Sequence, residues 1–226
     1  MRQVQQIMGM PISIEISDCD NESVFKDAFD RLRQIDDKFS TYKTDSEVSR
    51  FSKGEITESE LSSELKNIIE ACREAEVMTD GYFSAWAASA FDPSGYVKGW
   101  AITEAGKVIK KAGYKTYCIG AGGDILASSD SEKKWNIGIQ DPRDKSKILN
   151  LLSISNGAVA TSGNYERGTH IINPKTKKPA YELLSVTVTG PDIIRADVLT
   201  TALFAMGREK AQEFIKSQPD YSAILV

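Results

Sequence analysis

The sequence predicts an α+β fold, a single domain in which mixed or antiparallel sheets are flanked by helices, and three observations carry that prediction. Apolar residues recur at helical spacing through the first half, short alternating runs crowd the middle, and an apolar helix follows from Asp192 to Gly207. No fixed-period repeat, low-complexity tract or proline-rich linker divides the chain, so residues 1–226 read as one unit. At 226 residues with 41% hydrophobic content, it is long enough to bury one sizeable core.

The elements follow in order. "MPISIEI" alternates as a strand does, and "NESVFKDAFDRLRQIDDKF" sets Phe25, Phe29, Leu32, Ile35 and Phe39 on one helical stripe. A second amphipathic helix is expected through "SELSSELKNIIEACREAEVMTDG", with Leu61, Leu65, Ile68, Cys72 and Ala75 inward and Gly81 as its stop. "DPSGYVKGWAITEAGKVIKKAG" reads as a third, ending at Gly113. Short strands are expected around "KTYCIGAGGDILAS", "WNIGIQD", "KILNLLSIS", "GAVATSG", "THIIN" and "LSVTVTG" before the chain returns to helix.

Composition narrows the partners. A net charge of -4 with interspersed signs leaves no basic footprint for nucleic acid and no polybasic membrane patch. Cys19, Cys72 and Cys118 stand singly, without the spacing of a disulfide framework or a zinc site. No run approaches the roughly 18 to 20 apolar residues that cross a bilayer. The amino terminus lacks a signal-peptide layout, so a soluble, cytoplasmic chain is expected, although a removed export signal leaves the same picture.

Four polar stretches and one buried charge are the places for chemistry. Asp197, Thr200 and Thr201 lie three and four residues apart, within reach of one helical face in an otherwise apolar segment. A carboxylate there needs Arg195, a bound cation or an exposed helix end, unless it caps a neighbouring turn. "GAGGD" suits a hairpin, with Asp124 either turning the chain or binding a polar ligand. "FDPSGYVKG" puts Lys98 at a helix start, where it meets either an anion or solvent. "FSTYKTDSEVSRFSKG" is a hydroxyl-rich loop that binds a ligand or caps the next turn. "ATSGNYERGTHIINPKTKKPA" is the densest polar segment and carries His170, the sole histidine, whose ordinary pKa suits proton transfer but is equally at home in a structural role.

Taken together and in this order, these stretches resemble the ApbE family, the FAD:protein FMN transferases. "MGMPISIEI", "FSTYKTDSEVSRF", "TDGYF", "DPSGYVKGWA", "GAGGDI", "IGIQDP", "ATSGNYER", "HIINPKTKKP" and "SVTVTGPDIIRADVLTTALFAMG" carry the resemblance across nearly the whole chain. It implies a flavin site drawn from Met8, Tyr42, Tyr82, Phe83, Asp92, Lys98, Asp124 and Ile172. It also implies Mg²⁺ held by Asp197, Thr201 and the backbone oxygen of Gly95, with Thr200 assisting. The catalytic residues it implies are His170, Asp197 and Lys98.

The implied reaction moves FMN from FAD to a Ser or Thr hydroxyl in a motif of an acceptor flavoprotein, through a phosphoester bond, and releases AMP. A metal-dependent FAD pyrophosphatase and a non-catalytic FAD-binding protein are the other classes that the same residues allow. The chain departs from the family pattern at Met10, where Thr is frequent, at Asn173, where "HIIDP" has Asp, and at "KTKKP", where "RTGRP" is usual. The largest departure is the short stretch between Phe83 and Asp92, where longer members carry a helical insertion; stacking by Trp86 and Phe91 is one replacement, greater exposure of FAD the other.

Overall fold

Alternation in the first residues produces a hairpin. In the computed structural model, which describes residues 1–88, 90–164 and 171–226, β1 (Arg2–Ile7) and β2 (Met10–Ile16) pair antiparallel. Met8 and Gly9 make the turn, both at positive φ (56° and 71°). That conformation is easy for glycine and strained for methionine. β2 buries Ile12, Ile14 and Ile16 on one side, the period-two signature of a half-covered strand.

The helices come next. α1 (Ser23–Phe39) buries Phe25, Phe29, Leu32, Ile35 and Phe39 as expected. The hydroxyl-rich loop after it is partly helical, because Ser46 accepts the Ser49 N–H at 3.0 Å and starts α2 (Glu47–Ser52). The next expected helix begins later than its apolar pattern suggested: a 3₁₀ turn at Glu58–Glu60, closed by a Thr57/Glu60 capping box, precedes α3 (Ser63–Met78). Ser62 caps α3 through the Leu65 N–H, while its own hydroxyl donates to Glu47 at 2.7 Å, and Leu61 is buried without being helical. α4 (Ser94–Lys111) follows and Gly113 ends it at φ +97°.

Then the chain turns to sheet. β3 (Tyr117–Ala121) and β4 (Asp124–Ser128) join through Gly122–Gly123, both at positive φ, the two-residue turn that matches strand twist. β5 (Trp135–Asp141) and β6 (Asp144–Ile154) form a separate two-stranded ribbon. β7 (Gly157–Gly163) returns to the main sheet, and β8 (Ile172–Asn173) with β9 (Lys178–Pro179) makes a second small ribbon. β10 (Ser185–Gly190), α5 (Ile193–Met206), α6 (Arg208–Ile215) and β11 (Ser222–Leu225) complete the fold. The main sheet has seven strands in the order β1-β2-β3-β4-β7-β10-β11, each pair antiparallel. This is the α+β class expected; the closing strand β11 was not.

α5 occupies the centre. Eleven of its 14 residues are buried, because it packs on α4 along one side and on β7 and β10 along the other. Gly99 permits the approach: a Cβ there would stand 2.9 Å from the Ile194 Cα. Among the described residues no helix is long and apolar enough to cross a membrane.

Candidate active site

Close packing of α4 on α5 brings Lys98 to Asp197, and the glycine turn before β4 brings Asp124 to the same ammonium. Lys98 Nζ lies 2.8 Å from Asp124 Oδ2 and 3.4 Å from Asp197 Oδ1, with the two carboxylate side chains 0% and 2% exposed. Asp124 Oδ1 also accepts the Thr161 N–H of neighbouring β7 at 3.0 Å. Burial pulls the Lys98 pKa down, but the Asp124 and Asp197 charges outweigh it and hold the ammonium above its ordinary value. Burial, then the Asp124 charge, pushes Asp197 up to about 8 against the opposing pull of Lys98. Arg195 is not the partner of Asp197. It donates to Gln218 Oε1 at 2.5 Å and lies over the Tyr221 ring, while the helix cap is Asp192, which accepts the Arg195 N–H.

One oxygen of this cluster is left over. Asp197 Oδ2 is buried with no hydrogen-bond partner among the described residues, and Asp197 lines a cavity of about 400 Å³ with Lys98, Thr201, Gly95 and Ser162. Gly95 and Thr201 adjoin, since a Cβ on Gly95 would lie 3.7 Å from Thr201 Oγ1 and 3.2 Å from the Phe83 ring. Among the described residues no three His, Cys, Asp or Glu side chains form a ligand cluster, so this is no all-protein cage. A carboxylate oxygen without a partner, a hydroxyl and a nearby backbone suit Mg²⁺, which keeps several waters and shares its shell with substrate phosphates. The residues present fit that ion.

Other expected residues line the same cavity. Tyr82 and Phe83 are buried in its wall, Met8 and Ile172 are half-buried, and Tyr42 stands at the rim, 92% exposed. Asp92 lines it as well, its carboxylate accepting the Ser94 N–H at 2.9 Å. Asp124 and Thr200 stand behind the lining rather than in it: Thr200 is fully buried and donates to the Asp197 carbonyl at 2.7 Å. His170 lies outside the described residues. The short stretch after Phe83 contributes Ser84, Ala85, Ala87 and Ala88 to the wall. Trp86 and Phe91 pack against each other, their rings tilted by 39° with centroids 5.1 Å apart, and neither lines the cavity.

Several contacts had no signal in the sequence. Lys98, Asp124 and Asp197 were legible singly, but their union depends on the α4–α5 approach and the β3–β4 turn. Ser162 stood in a polar stretch with no reason to single it out, and its hydroxyl lies 2.8 Å from Thr200 Oγ1. Lys210 donates to the Tyr82 hydroxyl at 2.8 Å from 128 residues away, and Lys175 covers the Tyr82 ring at 4.3 Å.

An α+β chain with charged and hydroxyl groups converging on the floor of a largely apolar cavity has the form of a small-ligand protein. The family model described as the ApbE family matches residues 8–90 and 85–225, and the chain belongs to the ApbE family. It is 30% identical over 133 residues to the FAD:protein FMN transferase of Escherichia coli (strain K12), covering 54% of this chain and 38% of that protein. A FAD:protein FMN transferase of Treponema pallidum (strain Nichols) is 34% identical over 114 residues, covering 46% of this chain and 32% of that one. The matched segments thus span well under half of these relatives' lengths. The fold is shared with the solved Flavin Transferase ApbE from Vibrio cholerae, TM-score 0.85 at 21% identity, covering 100% of this chain and 92% of that one. It is shared likewise with the ApbE protein from Thermotoga maritima, TM-score 0.87 at 21% identity, covering 100% and 94%.

Proposed function

We propose that this chain is a FAD:protein FMN transferase. The observation that carries the reading is the unpartnered Asp197 oxygen beside Thr201 and Gly95 on the floor of a cavity walled by Met8, Tyr82, Phe83 and Ile172. The names of the relatives supply the substrate class. One apolar cluster running from Ile7 to Ala211 supports treating residues 1–226 as one domain.

In this reading the isoalloxazine ring lies against the apolar wall, with the pyrophosphate towards Lys98 and the floor. Mg²⁺, held by Asp197, Thr201 and the Gly95 backbone with Thr200 assisting, supplies positive charge against the pyrophosphate oxygens. Lys98 orients Asp197 and, with 18% of its side chain exposed, adds to that positive field. Asp124 anchors Lys98 from behind. A Ser or Thr hydroxyl of the acceptor flavoprotein attacks the FMN-side phosphorus; its proton passes to a base at or near His170, the bond to the AMP phosphate breaks, and AMP leaves.

The small residues Ser84, Ala85, Ala87 and Ala88 in the wall favour some entry of water, which turns the same site to slow FAD hydrolysis when no acceptor is present; an acceptor with the right Ser/Thr motif suppresses it. One experiment separates the readings: incubate the chain with FAD, Mg²⁺ and a flavoprotein bearing a candidate Ser/Thr motif, then measure acceptor mass and AMP together. The expected result is an acceptor heavier by one FMN phosphoester and AMP in equal amount. AMP with no modified acceptor, for every acceptor tried, means a pyrophosphatase; no AMP at all means a binding protein.

A further inference from the structure

We propose that Ser162, oriented by Thr200, is a further oxygen of the divalent-cation site, one that faces the cavity only as an acceptor. The inference rests on the reading that Asp197 and Thr201 hold the cation. It follows from counting protons. A hydroxyl has one proton to give. Thr200 gives its proton to the Asp197 carbonyl, which cannot donate, at 2.7 Å. The 2.8 Å contact between Ser162 Oγ and Thr200 Oγ1 therefore has Ser162 as donor. With that proton committed, Ser162 Oγ has only lone pairs to offer Thr201 Oγ1, 3.5 Å away, and the cavity it lines.

The result is a relay of one sense, from Ser162 through Thr200 to the Asp197 carbonyl, which Thr201 can join only as a donor to Ser162. Beside them lies the unpartnered Asp197 Oδ2. Ser162 Oγ, with its proton committed, joins the Asp197 carboxylate, which gives up its own proton on binding a cation, in offering lone pairs that suit a metal ion or the donating hydrogens of its bound waters. Ser162 offers an anion no donor, whereas Lys98 in the same lining does. Ser162 thus contacts the hydrated cation, and Thr200 is a positioning residue that sets the direction of the Ser162 proton. Neither assignment needs a large movement, because Thr200 is fully buried between α5 and β7.

Mn²⁺ titrated into the purified full chain, with the free ion followed by its electron paramagnetic resonance signal, tests this directly. Ser162→Ala and Thr200→Val are each expected to weaken binding about 3- to 10-fold, the worth of one correctly oriented neutral hydrogen bond. Thr200→Ser keeps the hydroxyl and is expected to bind as the wild type does, a rescue that loss of packing alone does not predict. The Ser162→Ala/Thr200→Val pair should be no weaker than the worse single variant, because the relay is serial. Binding by Thr200→Val equal to wild type, or by Thr200→Ser as weak as by Thr200→Val, overturns the inference. If Thr200→Val does not fold, Ser162→Ala at the half-buried cavity wall decides alone: wild-type affinity there refutes it. Asp197→Ala separates the two levels. Wild-type affinity in that variant sinks the metal reading and this inference with it, whereas lost affinity there with unchanged Ser162 and Thr200 variants sinks only the inference.

Discussion

Replacing Lys98 by methionine removes the cation that lies 2.8 Å from Asp124 and 3.4 Å from Asp197, both buried. Breaking a buried ion pair from one side costs about 3–5 kcal/mol, a large part of the roughly 5–15 kcal/mol that holds a domain together. For a chain of this length that corresponds to a fall in Tm of roughly 6–20 °C. The deficit depends on pH in a definite sense. Asp197 has its folded-state pKa raised to about 8, so the folded protein holds a proton that the unfolded chain has released above the ordinary carboxylate range. Stability of the metal-free wild type therefore declines as pH rises towards 8 and then levels. Without Lys98 the Asp197 pKa rises further, so the variant keeps losing stability beyond 8, by up to about 1.4 kcal/mol per pH unit. Thermal unfolding followed by circular dichroism in chelator, from about pH 6 to about pH 9, reads both features, and Lys98→Met/Asp197→Asn should remove the steepening. A Lys98→Met curve that stays parallel to the wild type above pH 8, or a Tm within about 2 °C of it throughout, refutes the reasoning.

Asp197→Ala is expected to fold and to lose FAD turnover that added Mg²⁺ does not restore, since neutral oxygens alone hold the ion poorly; wild-type turnover at limiting Mg²⁺ contradicts this. His170→Asn should lower FMN transfer about 10²- to 10⁴-fold with little change in FAD affinity, measured as single-turnover acceptor labelling and flavin fluorescence. Transfer at the wild-type rate across neutral pH means that another base operates. Ser46→Ala, which removes the α2 cap at 3.0 Å and the bond to the Ser40 carbonyl at 2.5 Å, should cost about 1 kcal/mol. Calorimetry checks it, and an unchanged Tm shows that the loop carrying Tyr42 holds its shape without that cap.

Local chemistry made much of the fold legible before any coordinates. The stripe of α1, the Gly122–Gly123 turn and the apolar segment of α5 each specify their own conformation, because periodicity and φ preference are properties of a few neighbouring residues. Boundaries were less legible where side chains from elsewhere intervene: Glu47 reaches across to Ser62 and fixes where α3 begins, and no pattern within α3 announces it. β11 was missed because its four residues, Ser222–Leu225, pair with β10 across a long stretch of chain rather than standing out alone.

The candidate site divides in the same way. The sequence by itself determined which residues are able to do chemistry: a carboxylate and two threonines at helical spacing in an apolar segment, a lysine after a proline turn, an aspartate after two glycines, one histidine. It did not determine which of them meet. Arg195, two residues from Asp197, is the nearer cation in sequence and yet serves Gln218, while Lys98, 99 residues earlier, takes the place beside the carboxylate. Only tertiary structure decides this. Gly99 lets α4 lie against α5 and the sheet closes Asp124 in behind, so that a charge pair and a contacting pair of hydroxyls form from residues that carry no information about one another along the chain.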